Sequence, residues 1–203
     1  MKLKFIILSI IVAVGIFISG FGFYTLHEVN NDIKLGVENF ESQKNSPDHS
    51  EYKNVTETQD ASQNNNNSFN KTTSKDPIAV LEFINNNSYK CAVYNHVCKK
   101  SLQFGAGRLL SSAFPCENGN CVLYGHRDSA FKTIQNVKEN DIIKVTTKYE
   151  SANYSVYQTF VTDPKDPKIF ESTQNKELTL VTCYPFYFVG PAPKRYIVRA
   201  RVS

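Results

Sequence analysis

Between Phe5 and Tyr24 the chain carries no charge and is dense in Ile, Val and Phe. A run of that length is about enough to cross a bilayer as a helix, and Lys2 and Lys4 ahead of it favour a cytoplasmic N-terminal side. A cleaved signal peptide is the rival reading. It requires small residues at the end of the run, where this chain has Phe21, Phe23 and Tyr24. The expectation is a cytoplasmic tip and transmembrane anchor over residues 1–26, and both readings place the remainder outside the cell.

The apolar pattern then stops. Residues 27–76 are poor in Leu, Ile and Val, contain the run Gln63-Asn64-Asn65-Asn66-Asn67-Ser68, and hold no sustained period. Such a segment cannot offset its chain entropy by burial, so it reads as a flexible polar linker. Its r.m.s. reach would be about 40 Å. Ile33, Val37 and Phe40 fall near helical spacing, which leaves room for a short stalk.

From Pro77 the texture changes again. Apolar or β-branched runs over 78–84, 89–94, 121–124, 141–149, 154–162, 178–182 and 196–202 are separated by turn residues. Short strands at this spacing predict an all-β barrel or sandwich occupying residues 77–203 as one domain. A helical turn is expected near Ser129–Val137, with Asp128 or Ser129 as its cap.

The chain has a formal net charge of +4, with an acidic linker and a basic domain. Nothing in it forms a nucleic-acid-binding stripe, so no nucleic-acid partner is expected. Of five cysteines, Cys91 and Cys98 stand close in sequence, as do Cys116 and Cys121. An exported domain tolerates disulfides, and these four are the disulfide candidates, with two local loops favoured among three pairings. Free thiols are one alternative. Zinc is another, but the intervals are wider than structural zinc sites use. No metal or other cofactor is expected.

Cys183 stands apart. It closes the run Leu178-Thr179-Leu180-Val181-Thr182-Cys183, and period-two alternation puts Thr179, Val181 and Cys183 on one face. His126 lies upstream in Gly125-His126-Arg127-Asp128. Arg195 lies downstream, opening a strand in which Tyr196, Val198, Ala200 and Val202 make the apolar face. A thiol, an imidazole and a guanidinium are the parts of an acyl-transfer site: nucleophile, acid/base and anion stabiliser. The other four arginines read as solvated. Tyr184, Phe186, Tyr187 and Phe188 either wall a peptide groove or pack the loop after Cys183.

Thr179-Leu180-Val181-Thr182-Cys183 matches the Thr-Leu-x-Thr-Cys signature of the sortases, and the His126 and Arg195 segments fit the family's histidine and arginine segments. Cys183-Tyr184-Pro185-Phe186, Gly190 and Ala192-Pro193 resemble class D sortases most. The resemblance covers roughly residues 78–202. It implies a closed, mostly antiparallel β-barrel of about eight strands. It also implies an extracytoplasmic transpeptidase of Gram-positive bacteria that cuts a Leu-Pro-x-Thr-Gly-type sorting signal and passes the acyl group to an amine of a peptidoglycan precursor such as lipid II. Carried onto this chain, Cys183 is the nucleophile, His126 the acid/base and Arg195 the oxyanion partner. Thr182 shapes the oxyanion site, and Tyr184 contacts substrate.

The chain departs from the pattern at Pro115-Cys116, at Tyr89–Lys100, and at Asn140-Asp141, where the family often has Gly-Asp. Asn tolerates positive φ, so the turn is expected to survive. Two alternatives stand beside this reading. One is a pilin polymerase with a lysine side chain as acceptor, whose Asp-Pro-aromatic lid Asp76-Pro77-Ile78 does not match. The other is a non-catalytic surface-binding module, which leaves the three-residue set without a purpose.

Overall fold

The computed structural model describes residues 2–45 and 76–203. A long helix, α1 (Lys2–Lys44), precedes eight strands: β1 (Pro77–Phe83), β2 (Tyr89–Tyr94), β3 (Gly105–Arg108), β4 (Gly119–Tyr124), β5 (Ile142–Thr147), β6 (Ser151–Thr162), β7 (Lys176–Tyr184) and β8 (Lys194–Val202). A short helix, α2 (Lys99–Phe104), joins β2 to β3, and single 3₁₀ turns occupy Ile134–Asn136 and Pro167–Phe170.

The strands close into a barrel in the order β1-β2-β3-β4-β7-β8-β6-β5. Closure leaves no sheet edge to template aggregation. Most neighbours are antiparallel; β2–β3 and β4–β7 are parallel. A parallel pair needs a crossover, which α2 provides for the first and the β5–β6 hairpin for the second. Leu178, Leu180, Val198, Ala200, Leu81, Phe83, Val93, Leu123, Ile143, Val145 and Val156 fill the interior. Each large aliphatic side chain among them contributes about 1.5–3 kcal/mol on burial.

Seven strands lie where the hydrophobic pattern expects them. The eighth, β3, is Gly-Ala-Gly-Arg and has no apolar run to announce it. Gly105 and Gly107 are required by close packing: a Cβ on Gly105 would sit 2.1 Å from the Ala92 carbonyl oxygen. Asn140 adopts φ 71°, the positive value its turn called for. The expected helix near Ser129–Val137 is a series of turns ending in the 3₁₀ turn, which Thr133 precedes without a side-chain cap, so neither Asp128 nor Ser129 serves.

The linker expected from residue 27 is also corrected. The helix runs on to Lys44, and Ile33 and Phe40 are buried, because its later apolar residues find a surface on the barrel. The rest of that expected linker, residues 46–75, lies outside the described residues.

Candidate active site

The register of β4 against β7 builds one side of the site. Tyr124 pairs with Val181 at the end of the parallel ladder. One residue on, the Gly125 N–H donates to the Val181 carbonyl (3.1 Å), and the Thr182 hydroxyl donates to the Gly125 carbonyl (2.7 Å). The chain is thus held alongside β7 as far as Gly125, and His126 is the next residue. Gly125 is needed here, because a Cβ would lie 2.6 Å from the Phe131 ring. The His126 carbonyl accepts the Phe131 N–H (2.9 Å), which turns the chain back onto the barrel and leaves His126 exposed at the rim.

The other side comes from β8. Cys183 and Arg195 are directly opposed across the antiparallel β7–β8 pair. Opposed residues have Cα atoms about 4.5–5.5 Å apart. Arg195 is oriented by Nη1 donating to the Ala192 (3.1 Å) and Lys194 (2.8 Å) carbonyls. Arg127 crosses from the His126 segment to the β7–β8 loop, donating from Nη2 to the Phe188 carbonyl (2.6 Å). Sequence reading took Arg127 for a solvated charge, and nothing in its local pattern marks it.

Thr182 is buried, with its hydroxyl proton committed to Gly125, so its side chain holds the histidine segment rather than offering a donor to substrate. Tyr184 stacks on Tyr196 (6.4 Å) and meets Phe186 edge-on (5.5 Å), while Phe186 packs on Tyr196 (5.1 Å). These contacts pack the segment after Cys183 and leave Tyr184 and Phe186 partly exposed. Tyr187, Phe188 and Val189 are exposed.

Outside the barrel, Val122, Val181, Ile197 and Ile169 form a small apolar cluster on the same face as Cys183, with Leu109, Tyr124 and Phe160 around it. Burial pushes the Tyr124 phenol up, and the nearby Arg195 charge opposes that shift. The Pro167–Phe170 turn covers this cluster. Asn120 pins it, donating to the Ile169 (3.4 Å) and Glu171 (3.0 Å) carbonyls while accepting from the Thr179 hydroxyl (2.8 Å). A cavity of about 370 Å³ continues beside Asn120 and Val122 toward Glu171–Gln174.

The expected pairings Cys91–Cys98 and Cys116–Cys121 are corrected: all five cysteines are free. Cys91 points into the core, whereas the Cys98 sulfur caps α2 by accepting the Ser101 N–H (3.4 Å), which draws its thiol pKa down. Cys116 and Cys121 are both core residues, and the Cys116 thiol faces the Val145 carbonyl (3.7 Å). Burial pushes the Cys91 and Cys121 thiols up to about 12 and the Cys116 thiol to about 11. Among the five, Cys183 alone is paired with an arginine, Arg195, in the strand register. Two other arginines are not solvated either. Arg108 is buried, with its guanidinium on the Asn95 side chain and the Leu109, Leu110 and Ser112 carbonyls; Arg199 pairs with Glu171 (3.1 Å) and Glu177 (3.2 Å).

A family model described as the sortase domain matches residues 83–203. A curated relative, sortase D of Bacillus subtilis (strain 168), is 30% identical over 198 residues, 97% of each chain. Among solved structures, the sortase D5 transpeptidase of Clostridium perfringens superposes with a TM-score of 0.67 at 24% identity, over 85% of this chain and 99% of that one. A lid mutant of sortase A from Corynebacterium diphtheriae gives 0.58 at 27% identity, over 66% and 73%. The SrtD catalytic domain of B. anthracis gives 0.54 at 26%, over 70% and 95%.

Proposed function

This chain belongs to the sortase family and is a cysteine transpeptidase; from that premise we propose that it is a membrane-anchored, class D-type enzyme acting on Leu-Pro-x-Thr-Gly-like sorting signals, with Cys183, His126 and Arg195 as its catalytic residues. The Cys183 thiolate attacks the carbonyl of the scissile Thr–Gly bond. The carbonyl oxygen gains negative charge, and Arg195, on the opposed strand, stabilises it. Donors placed where charge develops are worth about 2.7–4 kcal/mol each. As the C–N bond breaks, His126 protonates the departing amine, leaving a thioester on Cys183. An incoming amine attacks the thioester, gives its proton to His126, and releases the sulfur. The acceptor proposed is the amine of a peptidoglycan precursor such as lipid II.

The observation that carries this reading is the register: Cys183 opposite Arg195, and the β4 ladder extended by Gly125 to bring up His126. The partly exposed Leu109, Tyr124 and Phe160, packed around the buried Val122, Val181 and Ile197, offer an apolar surface that suits the signal's Leu and Pro. Anchoring is supported by the first part of α1, an apolar helix long enough to span a membrane, with Phe17 and Phe23 about three-quarters exposed (74% and 75%).

The test is to incubate the full chain in detergent with a sorting-signal peptide, with and without an amine. Mass spectrometry should show an acyl adduct on Cys183 that the amine discharges as a ligated product, and Cys183→Ala should give neither. Cleavage at the parental rate by Cys183→Ala would overturn the assignment.

A further inference from the structure

Beyond Tyr24, α1 ceases to be uniformly apolar, and from Val29 to Phe40 its apolar positions share one face, with Leu35 exposed off it. Val29, Ile33, Gly36, Val37 and Phe40 recur at helical spacing and rest on the outer surface of β1, β2 and α2. Ala92 and Tyr94 point away from the barrel interior and are nonetheless buried, because this helix covers them. Gly36 marks the closest approach. A Cβ there would lie 2.9 Å from the Phe104 carbonyl oxygen and 3.0 Å from both the Ala92 Cβ and the Tyr94 hydroxyl. Glycine weakens a helix interior, and here its missing side chain lets the backbone settle on the sheet.

Polar contacts fix the rotation of the helix. Gln103 donates to Asp32 (3.1 Å), and Lys132 donates to Asn30 (2.8 Å). Lys132 belongs to the turn that follows His126. Its ammonium stands 4.6 Å from the centre of the Tyr89 ring. The Tyr89 hydroxyl donates to the Ser129 carbonyl (2.9 Å), and the adjoining Phe131 N–H holds the His126 carbonyl (2.9 Å). The contacts run without a gap from Asn30 on the helix to His126.

We propose that residues 29–40 of α1 form a bracket for the active site, and that Lys132 and Tyr89 are positioning residues that transmit its docking to the His126 segment. The bracket is continuous with the apolar part of the same helix. The barrel is therefore held at a set distance from that part, rather than ranging on a long coil.

The test uses the full chain in lipid nanodiscs. Hydrogen exchange is followed in the parent, in Gly36→Leu, and in a double variant Ile33→Asp/Phe40→Asp. Undocking should raise exchange at the β2 amides and at Phe131 and Ile134, while the β7 and β8 amides stay at the parental rate. Parental protection at Phe131 and Ile134 with the β2 amides freed would overturn the transmission to His126. Parental protection throughout in both variants would overturn the docking face itself.

A second arm rests on the transpeptidase reading. Lys132→Met should lower kcat for peptide cleavage by about tenfold, with KM changed less than about twofold. Lys132→Arg, which keeps a cation over Tyr89, should restore most of it. Parental kcat in Lys132→Met would overturn the positioning role. A parent protein that cleaves no peptide would instead count against the reaction, and the exchange arm would still be read.

Discussion

At the scale of single residues, the fold sorts five chemically identical thiols into different tasks. Cys91, Cys116 and Cys121 have become small core residues, and burial suppresses their ionisation. Relative to an ordinary value of 9.0, the thiolate population near pH 8 falls roughly a hundredfold for Cys116 and roughly a thousandfold for Cys91 and Cys121. Cys98 and Cys183 are only partly covered. Iodoacetamide at about pH 8 should therefore label Cys98 and Cys183 in the native protein, and all five after denaturation. A single labelled thiol in the denatured, unreduced protein would instead mean that four are oxidised.

At the scale of elements, the β6–β7 connection is held onto the barrel by polar groups. Asn120 reaches the Ile169 and Glu171 carbonyls, and Arg199 pairs with Glu171. Asp166 starts the Pro167–Phe170 turn by accepting the Lys168 N–H (2.9 Å) and the Thr162 hydroxyl. Those donors hold its carboxyl below the usual value, the Thr162 contact contributing most. A depressed folded-state pKa gives support that is fully present above the ordinary carboxylate range and is lost as pH falls through the lowered value. Asn120→Ala removes both loop contacts and strands the buried Thr179 hydroxyl, and should cost about 1–3 kcal/mol. The midpoint of urea unfolding should fall accordingly and the peptide KM should rise. Unchanged values of both would show that the turn is held by apolar contact alone.

For the whole molecule, the decisive division is between the apolar first part of α1 and a closed barrel on which the later part of the same helix packs. The span from Phe5 to Tyr24 is uncharged, so the bilayer attachment proposed for it would be hydrophobic and should not respond to ionic strength. The full chain should sediment with membranes through a high-salt wash and be extracted by detergent, whereas a chain beginning at residue 27 should stay soluble. Release of the full chain by salt alone would point to a peripheral, electrostatic attachment.

The sequence by itself determined what is local. Short apolar or β-branched runs between turn residues announced seven strands, and period-two alternation sorted the two faces of β7 and the apolar face of β8. Turn chemistry announced the positive φ of Asn140, and the absence of charge over Phe5–Tyr24 announced the apolar helix. The three site residues were named by their place in motifs, not by any visible proximity. Only the tertiary structure decided which residues meet. Parallel pairing of β4 with β7 joins segments about sixty residues apart, and β3 is stabilised by close packing rather than by hydrophobic pattern. In the second half of α1 the spacing of Ile33, Val37 and Phe40 left room for a short stalk within the expected linker, but the barrel surface that buries Ile33 and Phe40 was not legible. Asn120, Arg127, Lys132 and the three buried cysteines owe their roles to partners distant in the chain, and a linear reading has no place for such partners.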